Sequence, residues 1–122
     1  MIAHTSLHVS DYPRSKAFYI KTLQSIGYTN NMEYGESAGF NDGKNTDLWI
    51  SKTDTVVPTH LAFEVKSREQ VEAFHKAALA AGGKDNGKPG YREYWPGYYA
   101  AFVHDPDGHN IEAVWYDYSK AK

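Results

Sequence analysis

At 122 residues, with 41% hydrophobic and 23% charged side chains, the chain is long enough for one domain with its own core. A net charge of −2 gives no field that would hold nucleic acid or an anionic membrane. The lack of cysteine excludes a disulfide scaffold, a thiolate metal site and a cysteine nucleophile. No apolar run approaches the roughly 20 residues of a membrane-spanning helix. The N-terminus opens directly into a strand-like segment rather than a signal peptide, so a cytoplasmic protein is expected.

Residues Ile2 to Val9 alternate, with Thr5, Leu7 and Val9 on one side and His4, Ser6 and His8 on the other, as a strand with one apolar face requires. Asp11 is a helix cap and Pro13 falls in the first turn, where a missing N–H costs nothing. Phe18, Tyr19, Thr22, Leu23 and Ile26 make the apolar stripe of a helix that Gly27 stops. Strands follow at Thr29–Tyr34, Ser37–Asn41 and Asp47–Ser51, the last two joined by the hairpin signal Asn41-Asp42-Gly43-Lys44. Lys52 to Val57 is a linker.

The second half repeats this order. His60 to Val65 alternates, Ser67 to Gln70 reads as a capping box, and a helix runs to about Ala81 before Gly82-Gly83. Lys84 to Gly97 is a Gly/Pro-rich loop with room for one irregular strand. Tyr98–His104 and Asn110–Tyr116 are strands across an Asp105-Pro106-Asp107-Gly108 turn, and the residues after Tyr116 are expected to fray. The expected fold is α+β. It is one domain over 1–122, built of two βαβββ modules (about 1–51 and 58–116) that form a curled mixed sheet with the helices on its outer face.

The repetition extends to chemistry. A shift of 56 carries His4 to His60, Val9 to Val65, Phe18 to Phe74 and Gly27 to Gly83 without a gap. Asp47 follows the Asp of its Asp-Gly pair by the same five residues that separate Glu112 from Asp107. Self-similarity at so long a period is a fold-level signal. In each half the histidine and the carboxylate fall off the helix-facing set. If both halves curl those faces inward, His4, His60, Asp47 and Glu112 form one metal site. Imidazole with carboxylate suits Zn, Ni, Fe(II), Mn or Co. Four such ligands leave two positions of an octahedron for two adjacent substrate oxygens, and Glu112 is the candidate general base. His8 and Trp49, which share a face with these groups, are candidate pocket residues. So are Arg92, Tyr94 and Tyr99, from an aromatic-rich stretch of a chain that holds ten tyrosines.

The segments His4-Thr5-Ser6-Leu7-His8-Val9-Ser10-Asp11, Arg14-Ser15-Lys16-Ala17-Phe18-Tyr19 and Asp105-Pro106-Asp107-Gly108-His109-Asn110-Ile111-Glu112 resemble the opening and closing signatures of the vicinal oxygen chelate superfamily. That group holds glyoxalase I, extradiol dioxygenases and metal-free bleomycin-binding proteins. The resemblance implies paired modules around a metal cup, with His4, His60 and Glu112 as ligands. Asp47 falls where glyoxalase I places its first-module carboxylate, and a three-ligand set without Asp47 stays open. It also implies a metal-dependent lyase or isomerase of the glyoxalase I type, acting on a small molecule with vicinal oxygens. An Fe(II) dioxygenase and a metal-free drug binder are the alternatives. Family members often pair modules across a homodimer, so the four residues meet within one chain or between two.

Overall fold

The computed structural model describes residues 1–120; Ala121 and Lys122 lie outside the described residues. The first module is β1 (Thr5–Val9), α1 (Tyr12–Gln24), β2 (Thr29–Tyr34), β3 (Ser37–Asn41) and β4 (Thr46–Lys52). The second is β5 (His60–Glu64), α2 (Arg68–Ala80), β6 (Lys84–Arg92), β7 (Tyr98–His104) and β8 (Asn110–Tyr116), followed by a short 3₁₀ turn at Tyr118–Lys120 where fraying was expected. The βαβββ order is therefore observed twice. The Gly/Pro-rich segment after α2 does form a strand, β6, with two breaks in its register against β7.

Each module makes a four-stranded mixed sheet with its first strand at one edge, in the orders β1-β4-β3-β2 and β5-β8-β7-β6. β1 runs parallel to β4 and β5 parallel to β8, and the remaining pairs are antiparallel. A parallel pair needs a crossover, and each helix supplies part of it. α1 starts where the Asp11 side chain accepts from the Arg14 N–H at 3.2 Å. α2 starts where Ser67 Oγ accepts from the Gln70 N–H at 3.1 Å, while Gln70 Oε1 reaches back to the Lys66 N–H at 2.7 Å. Both caps satisfy N–H groups that a helix leaves without partners.

The helix-facing sides of both sheets share one core. Leu7, Val9, Leu48 and Ile50 of the first sheet lie with Phe18, Tyr19 and Leu23 of α1. Phe63, Val103, Ile111 and Ala113 of the second lie with Val71, Phe74 and Ala78 of α2, and the two helices touch. The opposite face of the second sheet carries a smaller cluster, Ala100, Phe102 and Val114, edged by Tyr98 and Tyr116. This is the face on which alternation places Glu112.

Polar groups tie the modules together as well. Tyr19 of α1 donates its hydroxyl to buried Asp105 at 2.5 Å, and Asp105 also accepts from the N–H groups of Asp107 (3.0 Å) and His109 (2.8 Å). Burial, with Asp105 beside it, raises the Tyr19 pKa. Ser10 donates to Asp107 from its backbone N–H and its hydroxyl. The Asp105–His109 turn is thus the clasp between the halves.

Candidate functional site

Glu112 is the most confined carboxylate of the free face, 1% exposed in the middle of β8. Burial of this kind is tolerated only where partners replace water. Tyr98, on the neighbouring β7, donates its hydroxyl to Glu112 Oε2. His60, at the head of β5, places Nε2 2.8 Å from Glu112 Oε1. Both carboxylate oxygens are therefore engaged. Burial and the adjacent carboxylate push the Tyr98 pKa upward, which keeps its proton on the phenol and its role as donor. The His60 side chain is 54% exposed, so it forms the outer half of the pair. Tyr98 also borders an aromatic hollow of about 370 Å³ walled by Tyr94, Trp95, Tyr116 and Tyr118.

Gly97 fixes where Tyr98 begins. Its φ of 89° is a left-handed value, and a Cβ there would stand 2.2 Å from the Asp117 carbonyl oxygen. The Asp117 N–H donates to the Gly97 carbonyl at 2.8 Å. Close backbone approach at this corner carries β7 into register with β8, and Tyr98 with it.

The register also redefines the repeat. Thr5 pairs with Leu48 and Leu61 with Ile111. Trp49 lies opposite Gly39, and Glu112 opposite Phe102. A shift of 63 therefore carries Leu48 to Ile111, Trp49 to Glu112 and Gly39 to Phe102. The first-module counterpart of Glu112 is Trp49, not Asp47. The small and large partners exchange places: the Trp49 ring lies so close over Gly39 that a Cβ there would stand 3.0 Å from it.

Asp47 is displaced by a bulge. Phe40 pairs with Leu48 but Asn41 pairs with Thr46, so Asp47 is the extra residue of β4. Its carboxylate accepts from the Tyr28 hydroxyl at 3.1 Å, and the Tyr28 ring meets Phe63 edge-on at 5.4 Å. Loss of water raises the Asp47 pKa, against the lowering effect of the Tyr28 bond. Equal spacing from the two Asp-Gly turns hid this, because sequence distance does not reveal a bulge.

The remaining residues fall as follows. His4 is exposed just ahead of β1, and His8 is exposed on the free face of the first sheet. Trp49 stacks on Tyr34 at 6.0 Å. Arg92 sits over the Phe102 ring at 5.3 Å and donates to the carbonyls of Gly90 (2.9 Å) and Lys88 (2.7 Å). Tyr94 meets Tyr98 edge-on at 5.2 Å. Tyr99 faces the other way: it is buried against α2 and donates to Glu72 at 2.7 Å, under the Arg68 guanidinium. Tyr98, which sequence reading passed over, is the tyrosine that reaches Glu112. The period-two rule separates it from Tyr99 and puts it on the side of Phe102.

Among the described residues no three His, Asp or Glu side chains come close enough to hold a metal ion. Of His4, His60, Asp47 and Glu112, only His60 and Glu112 meet. A divalent metal held by imidazole and carboxylate needs at least one more donor, so the residues of one chain do not by themselves fit such an ion.

Two βαβββ modules thus share one core and carry a histidine–carboxylate pair on the free face. The family model "Glyoxalase/Bleomycin resistance protein/Dioxygenase superfamily" matches residues 1–113, and the chain belongs to that superfamily. A glyoxalase/bleomycin resistance protein from Albidiferax ferrireducens is 28% identical, with a TM-score of 0.80, over 93% of this chain and 96% of that one. A glyoxalase/bleomycin resistance protein/dioxygenase family enzyme from Burkholderia phytofirmans has 19% identity and a TM-score of 0.73, covering 94% and 98%. A lactoylglutathione lyase from Agrobacterium tumefaciens has 18% identity and a TM-score of 0.71, covering 94% and 92%. The last two likenesses concern the fold. Among curated proteins none matches the chain. No helix of the described residues is long and apolar enough to cross a membrane.

Proposed function

We propose that this protein is a glyoxalase-like lyase or isomerase that moves a proton on a small substrate with vicinal oxygens. The observation that carries the reading is the buried Glu112 carboxylate, held by Tyr98 and His60. In an α-hydroxycarbonyl, a base removes the C–H proton next to the carbonyl, and the electron pair moves to give an enediolate. Returning that proton to the neighbouring carbon, while the hydroxyl proton passes to the former carbonyl oxygen, completes an isomerisation with no atom gained or lost. Glu112 is the base. Substrate reaches it past the Tyr98 hydroxyl and the exposed His60 ring, so binding exchanges one of these bonds for a bond to a substrate oxygen. Tyr98, kept protonated, is the donor for the charge that develops.

The metal-dependent form of this reading draws on a second copy of the chain. His60 and Glu112 come from one copy and the exposed His4 from the other, within a homodimer. Zn, Ni, Fe(II), Mn or Co there would polarise the substrate oxygens. Asp47, turned toward Tyr28, belongs to this centre only if a partner draws it out.

Proton exchange tests the reading directly. Purified protein, with and without each of these metals, is incubated in D2O with α-hydroxyaldehydes and α-hydroxyketones. Deuterium uptake at carbon is followed by NMR. Uptake that disappears in Glu112→Gln supports the reading; no uptake under any condition rejects it.

A metal-free small-molecule binder is the second reading. It is favoured by the aromatic hollow beside Tyr98, which suits a planar ligand. Saturable binding of such ligands without any proton exchange would establish it.

A further inference from the structure

Arg92 closes β6, but its guanidinium does not stay at the strand end. It runs back over Gly90 and Gly87 and settles against the Phe102 ring at 5.3 Å. The two glycines make room for it. A Cβ at Gly90 would stand 3.2 Å from Nη1, and one at Gly87 3.1 Å from Nη2. Nη1 donates to the Gly90 carbonyl at 2.9 Å and Nη2 to the Lys88 carbonyl at 2.7 Å. Two carbonyls and a ring thus fix the head of a flexible side chain.

Fixing the charge does not neutralise it. The ion pairs of the described residues are Lys16–Glu33, Lys52–Asp54, Arg68–Glu72 and two histidine pairs, and Arg92 is in none of them. The Glu112 carboxylate is taken by Tyr98 and His60. A guanidinium has five N–H donors, and the two carbonyls use only part of them. Arg92 is half-buried, with its Nη2 bond at the surface, so the remaining donors can be reached from the free face. A fork of this kind matches the paired oxygens of a carboxylate or phosphate.

Strand register places this charge relative to the reaction. Gly87 pairs with Phe102, and Phe102 with Glu112. The guanidinium and the Glu112 carboxylate therefore share one face at one level, on either side of Phe102. Neighbouring strands are about 4.8 Å apart, so β6 and β8 are separated by roughly 10 Å. With a hydrogen bond of about 3 Å at each end, roughly 4 Å remains between them, the span of about four bonds.

We propose that Arg92 sets the specificity of the reaction at Glu112 by holding a carboxylate or phosphate group at the far end of the substrate. The substrate class is then a small α-hydroxycarbonyl that carries such an anion about four bonds from the carbon that loses its proton. This anchor rests on proton transfer at Glu112 and narrows what that carboxylate acts on.

Two matched pairs of substrate test it by deuterium exchange at constant ionic strength. δ-Hydroxylevulinate is set against hydroxymethyl propyl ketone, which has methyl in place of carboxylate, and dihydroxyacetone phosphate against dihydroxyacetone. In at least one pair the anionic member should have a KM lower by about tenfold or more, and that pair identifies the anion. Arg92→Gln should raise this KM about tenfold with kcat little changed, and leave the neutral substrates unaffected. Arg92→Lys, which keeps the charge but not the fork, should fall between. Should Arg92→Gln fail to fold, Gly90→Ala, which crowds Nη1, should raise the same KM by a smaller factor. Equal KM values within both pairs, or equal effects of Arg92→Gln on anionic and neutral substrates, overturn the anchor and leave proton transfer at Glu112 standing. No exchange from any of the four substrates rejects proton transfer itself, and the anchor is then read by binding alone. Levulinate or glycerol phosphate, but not methyl propyl ketone or glycerol, should shift the Arg92 Nε–H resonance saturably; no such shift overturns the anchor as well.

Discussion

His109 and His8 are joined across the two modules: His109 Nε2 lies 2.7 Å from the His8 carbonyl oxygen. A carbonyl only accepts, so Nε2 carries the proton. The other ring nitrogen, Nδ1, accepts from the Thr59 N–H at 2.9 Å, which requires the same tautomer. His109 is fully buried and has both nitrogens satisfied, so it serves as a structural brace. It holds the end of β1 and the entry to β5 to the turn that precedes β8. Glu112 and His60 sit on the two strands that this brace aligns.

His109→Ala removes both bonds and leaves the His8 carbonyl and the Thr59 N–H unpaired beside a cavity. A loss of about 3 kcal/mol is expected from those costs. Urea denaturation would measure it as a lower midpoint at unchanged slope. A loss under about 0.5 kcal/mol, the size of an ordinary surface change, would show that the brace does not hold the modules.

The contact between Gly39 and Trp49 gives a second expectation. A methyl group at position 39 would stand 2.8 Å from Thr46 Cγ2 and 3.0 Å from the Trp49 ring. Gly39→Ala must therefore push the indole off the sheet, at about 1–3 kcal/mol, and alter its stacking on Tyr34. Tryptophan fluorescence and thermal unfolding follow both effects. Adding Trp49→Ala should recover part of the loss, since it removes the clash with the indole and leaves the one with Thr46 Cγ2. An equally unstable double variant would mean that the Thr46 contact, not the indole, sets the cost.

The order of elements was readable from the sequence because period two and period 3.6 are written in apolar residues such as Leu7, Val9, Phe18 and Phe74. His60 and Glu112 were readable too, since alternation put both off the helix-facing set. Asp47 was misaligned with Glu112 because a bulge adds one residue without any mark in composition. Trp49 took the place of Glu112 without a signal, because position becomes visible only through strand pairing. The roles of Tyr98 and Tyr99 were blurred for a simpler reason: two adjacent tyrosines have the same chemistry, and only the pleat sends them to opposite faces.

Asp47 also sets a pH dependence. Its pKa is raised in the folded chain, chiefly by loss of water. A raised carboxylate contributes stability while protonated, below its unfolded pKa, and loses that contribution as pH rises through the folded value. Asp47→Asn removes the titration but keeps an acceptor for Tyr28. The stability of Asp47→Asn relative to the native chain should therefore increase from acid toward neutral pH. Thermal midpoints of both proteins across that range test the sign; a difference that shrinks with rising pH contradicts it.

Tyr98 and Tyr99 provide the sharpest contrast. Tyr98→Phe deletes the donor to the buried oxygen of Glu112 and leaves that carboxylate with only His60. The cost in stability should be about 1.5–3 kcal/mol, typical of a lost hydrogen bond to a charged group. Proton exchange by the same variant should fall about tenfold to a hundredfold, because the hydroxyl also faces the charge that develops on substrate. Tyr99→Phe deletes a bond to Glu72 at the α2 surface, where Arg68 still pairs with the carboxylate at 3.3 Å. It should cost about 1 kcal/mol or less and leave exchange unaltered. Denaturation and deuterium uptake measured on the two variants together decide the matter. Equal effects of the two tyrosines on exchange would remove the hydroxyl of Tyr98 from the reaction and leave it a packing role alone.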